Sequence, residues 1–521
     1  LYSWTPADGS WMYVTWLGSS ALYLVHSVAG YAGLSVLRLL ILAGVAGIVI
    51  RYVRLCGTSV TMTHLAALVL TAVAMNPTAI FVKPEQFSTL LFCVAVYLYF
   101  ASKQDGVSRF HWYPPLFLAW VNTHGAFLVG LFFLSLAFGL EVVNRYAIKK
   151  NMLSHRLLRN MFVATAVSYG VVLINPHGWR YPVNTVLGML GGSGHRGMVE
   201  AYINRWSYLF PDIYIFRRTN TAWGLVVMAA VLTLLLVLAW RRRKFIDVPV
   251  AVLSGVFFLF AMNMARAALF FPVIWLMAGV YVLKGSGYFT VIERRQVVSC
   301  AALALLVMLV GHNILRLNTY KSWFGSAVEA YVPDGASDYI RDNELEGPLF
   351  NDYLSGGYLL WSLYPDYKVF IDPRVRPYDL SGVWEDYLAF RRTLPQGGLA
   401  GFNQRYPFRT ALALHSRNPD IVRGFIADSA WIPYYIGDTA VVFVHADDIA
   451  RGLVTASPVL GTARFESICD PMTLYSLLLV YAAIDIDSAH EIVDIFDRNV
   501  SQLYANRVVQ LATMRNIIAA Q

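Results

Sequence analysis

The sequence has few of the residue patterns that mark the common enzyme classes. Only four cysteines occur among 521 residues, and a single one, Cys469, follows position 314, which excludes a disulfide within that part of the sequence. HExxH, GxGxxG, P-loop and GxSxG patterns are missing, as is any Cys/His spacing typical of a metal site. The sequence therefore gives little support to four enzyme classes: metalloproteases, dinucleotide-dependent enzymes, nucleotide-driven motors and serine hydrolases.

Acidic residues are also scarce in the first three fifths of the chain. Residues 1–313 contain 24 Lys and Arg but only 8 Asp and Glu, whereas residues 314–521 contain 17 and 24. The mean hydropathy of +0.52 is too high for a soluble chain of this length. The composition changes near Leu315, from long apolar runs to an ordinary soluble sequence, so the first part is predicted to lie in a bilayer and the second outside it.

Apolar runs of bilayer length predict about nine spans in a membrane domain at 31–313. The runs cover residues 31–50, 60–81, 87–101, 126–143, 161–174, 222–240, 248–262, 267–283 and 297–312. A further apolar piece at 112–121 covers only about half a bilayer at ~1.5 Å per residue, which predicts a half-depth helix.

The basic residues of the membrane domain are distributed unequally between its two sides. If the half-depth helix counts as a crossing, 16 of the 24 cations fall in loops on one side and seven on the other. The positive-inside rule assigns the richer side to the cytoplasm. We therefore expect a multi-pass protein of the bacterial inner (cytoplasmic) membrane with its C-terminal domain in the periplasm. Nucleic-acid binding is not expected, because these cations lie between apolar spans.

Because successive spans cross the membrane in alternate directions, this assignment puts residues 1–30 on the external side, where they are predicted to be the remnant of a first external loop. At least one earlier span is expected to precede Leu1. Aromatic residues such as Trp11 and Tyr23 suit an interfacial helix, since these rings settle at the headgroup level. A tenth full span over 11–29 is the alternative.

The region 314–469 is predicted to be an α/β domain, and 470–521 a short helical tail that could be a helical hairpin of the tetratricopeptide kind. Strands are predicted at 347–352, 367–372 and 410–415. The sequence Gly-Asp-Thr at 437–439 predicts a hairpin between strands at 431–436 and 440–445. The fold class is thus an α-helical polytopic membrane domain followed by a periplasmic α/β domain and a helical tail.

Five sequence segments carry a resemblance to a known group of proteins. They are KPEQFS (83–88), PLFLAWVNTHG (115–125), NPHGW (175–179), FNDYLSGGYLLW (350–361) and VFIDPR (369–374). With them the chain resembles a broad bacterial group of largely uncharacterised polytopic proteins that is similar to the GT-C superfamily of membrane glycosyltransferases. The resemblance implies a GT-C-like membrane domain and transfer of a sugar from a polyprenyl-phosphate donor at the outer leaflet, with a divalent metal as a possible cofactor.

The resemblance implies a catalytic carboxylate on the first external loop. That residue is expected upstream of Leu1, and Asp8 is a weak candidate with no motif around it. Cations at the outer interface would bind the lipid phosphate. The candidates are Arg266, Lys83, Arg180 and the intramembrane Arg38. Each of them could instead extend to the headgroups or pair with an acid.

Polar groups for a substrate cleft are expected where the half-depth helix breaks. Asn122 and His124 lie at this break, where backbone groups freed from the helix line cavities in membrane proteins. His177 and Trp179 follow in the NPHGW loop. The alternatives are a histidine that merely satisfies the break and an Asn-Pro turn without function.

In the external domain, polar residues follow two of the predicted strands. They are Asn351, Asp352, Asp372 and Arg374. Together they could bind a sugar, or they could cap helices and close an ion pair, and the structural interpretation is favoured.

Two functions from different classes remain open. One is a GT-C-type transferase acting on a polyprenyl-phosphate sugar. The other is a non-catalytic subunit of a larger membrane assembly, with the external domain and tail as docking surfaces for protein partners. An acid in an Asp-x-Trp-like context upstream of Leu1 would favour the transferase.

Overall fold

The computed structural model describes residues 2–7, 12–57, 82–189, 216–243, 245–263, 265–288, 332–374, 376–500 and 506–520, with scattered positions at 63–71, 300–308 and 502. The chain divides into two compact units. The helical unit comprises residues 12–312, and the mixed unit comprises residues 313–521 together with residues 1–11. Two of the predicted spans, 60–81 and 297–312, lie largely outside the described residues.

In the described residues of the helical unit, helices predominate. They are α1 (Trp16–Leu55), α2 (Glu85–Asp105), α3 (Tyr113–Thr123), α4 (Phe127–Val143), α5 (His155–Val171), α6 (Arg180–Met189), α7 (Phe216–Arg243), α8 (Val248–Asn263) and α9 (Phe270–Ser286). Among the described residues, five helices are long and apolar enough to cross a membrane: Trp16–Leu55, Glu85–Asp105, Phe127–Ile148, Gly224–Arg241 and Ala267–Ser286.

Helix α1 extends further toward the N-terminus than the predicted span at 31–50. Its 40 residues would measure about 60 Å as one helix, twice the thickness of a hydrocarbon core. The backbone breaks at Gly30, which has φ 57° and ψ −154°, so that two helical segments follow each other. Residues 16–29 are thus helical, whereas residues 2–5 belong to the mixed unit, and the region 1–30 is not a single segment.

The predicted half-depth helix is the 11-residue helix α3, and its packing against α4 depends on a glycine. A Cβ on Gly130 would lie 2.4 Å from the Trp120 ring, so only glycine lets the two helices approach this closely. The Trp120 ring also contacts Phe92 of α2, with ring centres 6.4 Å apart. This aromatic core fixes α3 where its C-terminal end forms the break.

The mixed unit contains a four-stranded sheet in the order β1-β2-β4-β3. Its strands are β1 (Leu349–Asn351), β2 (Thr410–Leu414), β3 (Trp431–Ile436) and β4 (Ala440–His445). β1 and β2 are parallel, and the two other pairings are antiparallel. The predicted hairpin of β3 and β4 is confirmed, with residues 437–439 between the strands.

The predicted strand at 367–372 is wrong, because only Val369 forms a bridge, and its partner is Ser3 of the N-terminal segment. On the other side, the side chain of Asn351 takes the place of a neighbouring strand. Its carbonyl oxygen accepts from the backbone N–H of Phe370 (2.8 Å), and its amide donates to the carbonyl of Ile371 (2.8 Å). This side-chain bridge replaces a backbone ladder.

Helices surround the sheet and form the tail. They are α10 (Asp334–Asp342), α11 (Gly356–Leu363), α12 (Arg376–Leu380), α13 (Val383–Thr393), α14 (Gly398–Arg405), α15 (Pro419–Ala427), α16 (Ala446–Ala450), α17 (Pro471–Tyr481), α18 (Ile486–Asn499) and α19 (Arg507–Ala519). The tail has three helices rather than a single hairpin, and it is part of the mixed unit. His415, which follows β2, bonds to Ser476 of α17 (2.8 Å).

Candidate functional site

The break between α3 and α4 is held by a chain of hydrogen bonds on His124. The residue is extended, with φ −161° and ψ 146°. Its Nδ1 accepts from the Ala126 backbone N–H (3.3 Å) and from the Ser88 hydroxyl (2.9 Å), whose oxygen accepts from the Trp120 indole (2.8 Å). Because Nδ1 serves as the acceptor, a neutral His124 ring carries its proton on Nε2.

Asn122, two residues before His124 at the break, joins three parts of the helical unit. Its carbonyl oxygen accepts from the indole N–H of Trp16 in α1 (3.0 Å). Its amide donates to the carbonyls of Leu118 (2.9 Å) and Ile174 (3.0 Å). Sequence reasoning identified Asn122 as a lining residue, and in the structure its side chain also fixes the walls of the groove described below.

The predicted 175–179 loop is an Asx-type turn. The side-chain oxygen Oδ1 of Asn175 accepts from the His177 backbone N–H (2.8 Å), and its side-chain amide donates to the carbonyl of Gly178 (2.9 Å). Gly178 has a φ of 54°. His177 Nε2 donates to the carbonyl of Tyr13 (3.1 Å). The Trp179 side chain is exposed. The loop is therefore a well-bonded turn that presents an indole at the surface.

An open groove of about 580 Å³ runs between these segments. It is lined by Trp16, Leu17, Pro115, Leu118, Ala119, Asn122, Ile174, Asn175 and Pro176. Most of this lining is hydrocarbon, and the two asparagine side chains already bond to the protein. The groove is thus suited to an apolar chain rather than to a charged group.

The predicted phosphate-binding cations are only partly brought to this region. A Cβ on Gly18 of α1 would lie 2.6 Å from the Thr123 carbonyl oxygen and 2.9 Å from the Pro84 side chain, so Pro84 and the end of α3 are neighbours. The exposed Lys83, which precedes Pro84, therefore lies beside the break. Arg180 is exposed at the start of α6.

Arg38 is half-buried in α1, twenty residues beyond Gly18 and past the break at Gly30, and is not brought to the groove. The side chain of Arg266 lies outside the described residues, as does Asp8. Within the described ranges no group of three or more His, Cys, Asp or Glu could hold a metal ion.

The polar residues of the mixed unit bond to one another and to the backbone. Asp352 accepts from the backbone N–H groups of Leu354 (2.9 Å), Ser355 (3.1 Å) and Leu414 (2.7 Å), while burial raises the pKa of its carboxyl. These bonds join the end of β1 to the end of β2. The Asp352 carboxylate therefore holds the backbone together and is not exposed to solvent.

Asp372 is likewise buried and receives the guanidinium of Arg374 and the hydroxyl of Tyr378. Burial, followed by the neighbouring Asp372 carboxylate, raises the pKa of Tyr378, so its hydroxyl stays protonated as a donor. The strand-end residues do come together, since a Cβ on Gly356 would meet the carbonyl oxygen of Ile371 at 2.0 Å and Asn351 Nδ2 at 3.0 Å. The contacts are those of an ion pair that holds the fold.

Sequence reasoning missed a second polar cluster in the helical unit. The side chains of Lys103, Glu141 and Asp247 are 1%, 0% and 0% exposed. Lys103 bonds to Glu141 and lies 3.0 Å from Asp247, and the hydroxyls of Tyr99 (2.6 Å) and Tyr281 (2.9 Å) donate to the two carboxylates. The only sequence signal was that two of the eight acids of residues 1–313 lie at the ends of predicted spans.

No protein-family model matches the chain, and no curated protein matches it.

Proposed function

We propose that the chain is a multi-pass protein of the bacterial cytoplasmic membrane that binds a polyprenyl-phosphate sugar and transfers the sugar at the outer leaflet, in the manner of a GT-C glycosyltransferase. The observation that carries the proposal is the apolar groove beside the broken helix. Its lining offers hydrocarbon contact for an isoprenoid chain and includes Asn122, two residues before His124 at the break. Lys83, beside the break, is the described cation best placed for the phosphate.

Membrane placement is supported by the five long apolar helices and by their surfaces. Apolar side chains such as Leu24, Leu39 and Leu234 are exposed on the helical unit, as is usual for a surface that faces lipid. The excess of cations on one side of the spans assigns the cytoplasmic face. By this assignment the mixed unit is periplasmic.

The chemistry of sugar transfer divides between the donor and the acceptor. The donor needs its phosphate neutralised by a cation, for which Lys83 and Arg266 are proposed. The acceptor hydroxyl needs a carboxylate as base. His124, whose Nδ1 accepts from Ser88 and from the Ala126 backbone, fixes the polar end of the helix break.

A second candidate is a non-catalytic subunit of a membrane assembly. It is favoured by the bonding of Asn122 and Asn175, whose side chains are engaged with the protein itself. In this role the groove would hold a structural lipid, and the mixed unit would contact partner proteins. Sugar transfer by the purified chain separates the two candidates.

The groove is tested by filling it. Ala119→Trp places an indole in the groove, and Ala166→Trp, on an exposed position of α5 away from the groove, is the matched control. Native mass spectrometry of the full chain in detergent should find a polyprenyl-phosphate sugar bound to the parent and to the control but lost from Ala119→Trp. Equal binding by all three proteins would exclude the groove as the lipid site.

The topology is tested by labelling introduced cysteines in intact cells. A cysteine near Lys150 should resist an impermeant maleimide, while one near Ser416 should react, because the first is assigned to the cytoplasm and the second to the periplasm. The reverse pattern would overturn the assignment of the outer face and every site that depends on it.

A further inference from the structure

Helix α11 of the mixed unit has apolar residues on two opposite sides. Leu359 and Leu363 are buried in the core beneath the sheet. On the other side, Tyr358 and Trp361 pack against each other, with ring centres 5.5 Å apart, and Trp361 is 52% exposed. A soluble helix would carry polar residues on this outer side.

The N-terminal segment extends this aromatic surface. Tyr2 contacts Tyr364, which follows α11, with ring centres 5.3 Å apart, and each residue is 44% exposed. The position of Tyr2 is fixed by the backbone, since its carbonyl accepts from the N–H of Val369 (3.3 Å). We call Tyr2, Tyr358, Trp361 and Tyr364 the aromatic face.

We propose that the aromatic face lies in the headgroup layer of the bilayer and anchors the mixed unit to the membrane surface. This inference rests on the membrane placement proposed above, but not on sugar transfer. Tyrosine and tryptophan have an apolar ring with a polar tip, and they collect where hydrocarbon meets water.

Charge and chain connectivity favour a lipid surface as the occupant. The guanidinium of Arg374 lies 5.3 Å from the centre of the Tyr2 ring, and Lys368 is exposed nearby in the sequence. Arg374 is paired with Asp372, so the contribution of charge rests on Lys368, whose ammonium group suits a lipid phosphate. In addition, only ten residues separate Thr5 from Trp16, the first residue of the apolar helix α1, so the segment that carries Tyr2 leads directly into a proposed membrane helix.

The test is the accessibility of a nitroxide spin label on the full chain in lipid nanodiscs. Labels are placed by Trp361→Cys and, separately, by Tyr364→Cys, so that the loss of one ring does not decide the result. The partly or fully exposed Cys300 and Cys469 are first replaced by serine. Val508→Cys on α19 is the matched control, since this apolar residue of the same unit is 76% exposed but has no aromatic neighbours among the contacts described.

Collisions with oxygen, which dissolves in lipid, are compared with collisions with a water-soluble nickel chelate. The ratio of oxygen to nickel collisions should be several-fold higher at 361 and 364 than at 508. A water-like ratio at 361 and 364, or protection from both reagents as in a protein interface, would overturn the anchor. A label at Leu39, an exposed position of α1 within the predicted span 31–50, reports on the membrane placement itself. A water-like ratio there would overturn the placement and the anchor together.

Discussion

Lowering the pH is expected to loosen the mixed unit through a single buried histidine. His415 is 1% exposed, and its Nε2 lies 3.0 Å from the carbonyl of Gly437. Nε2–H therefore donates to this carbonyl, and Nδ1 lies 2.8 Å from the oxygen of Ser476, whose hydroxyl donates to the carbonyl of Thr473 (2.9 Å). Burial lowers the pKa of His415 from 6.5 to about 4.

The direction and size of the effect follow from this pKa. Between pH 6.5 and about 4 the unfolded chain binds a proton on His415 that the folded chain refuses. The free energy of unfolding is fully retained above pH 6.5 and falls as the pH is lowered through this window. At about 1.4 kcal/mol for each pKa unit, the loss is about 3 kcal/mol. The carboxyl of Asp352, whose pKa is raised by burial, works in the opposite direction.

Hydrogen exchange of the full chain in detergent measures this loss locally. Peptides covering β2, β4 and α17 should lose protection, corrected for intrinsic exchange rates, as the pH falls from 7.5 to 4. In His415→Gln the loss of protection over this pH range, expressed as a free energy of opening, should be smaller by about 3 kcal/mol, because residue 415 no longer titrates. His490→Gln, at an exposed position, is the control. If His415→Gln and the parent keep the same pH dependence, the proposed linkage is wrong.

Three substitutions test other parts of the structure. Lys103→Met leaves two buried carboxylates without their shared cation and should lower the free energy of unfolding by about 3–5 kcal/mol. Its melting temperature in detergent should therefore be lower than that of the control Lys150→Met, which alters an exposed cation. Gly356→Ala should lower the free energy of unfolding of the mixed unit by roughly 1–3 kcal/mol, because the new Cβ would lie 2.0 Å from the carbonyl oxygen of Ile371. In the control Gly357→Ala the Cβ would lie 3.6 Å from Pro373, its nearest neighbour, and the substitution should be tolerated. Lys83→Ala should weaken binding of the donor lipid by roughly 1.5–3 kcal/mol, the size of one charge-assisted hydrogen bond, and unchanged binding would place the phosphate elsewhere.

The coarse fold could be predicted because it depends on local sequence. Runs of apolar residues specify long helices wherever they occur, and the tight turn at 437–439 specifies a hairpin. The segment 367–372 has the composition of a strand but does not form one. Its neighbour in space is the side chain of Asn351, and no local pattern reveals that a side chain will take the place of a backbone partner.

The candidate site could be predicted only in part for the same reason. Asn122 was predicted from its place at the helix break and lines the groove, whereas the predicted His124, His177 and Trp179 are not among its lining residues. The 175–179 loop contributes Asn175 and Pro176 instead. The Lys103 cluster was missed because its three charged residues come from distant parts of the sequence and meet only in the folded helical unit. In the sequence, Lys103 looks like one of several loop cations.

Photo-crosslinking tests most directly whether the groove holds a polyprenyl chain. A polyprenyl-phosphate sugar with a diazirine on its isoprenoid chain would be irradiated with the full chain in nanodiscs, and the modified residues mapped by mass spectrometry. We expect the crosslinks to concentrate at Leu118, Ala119 and Ile174, and to disappear when unlabelled lipid competes. Crosslinks spread over exposed apolar positions such as Val28 and Leu24, and unaffected by competition, would contradict the assignment of the groove.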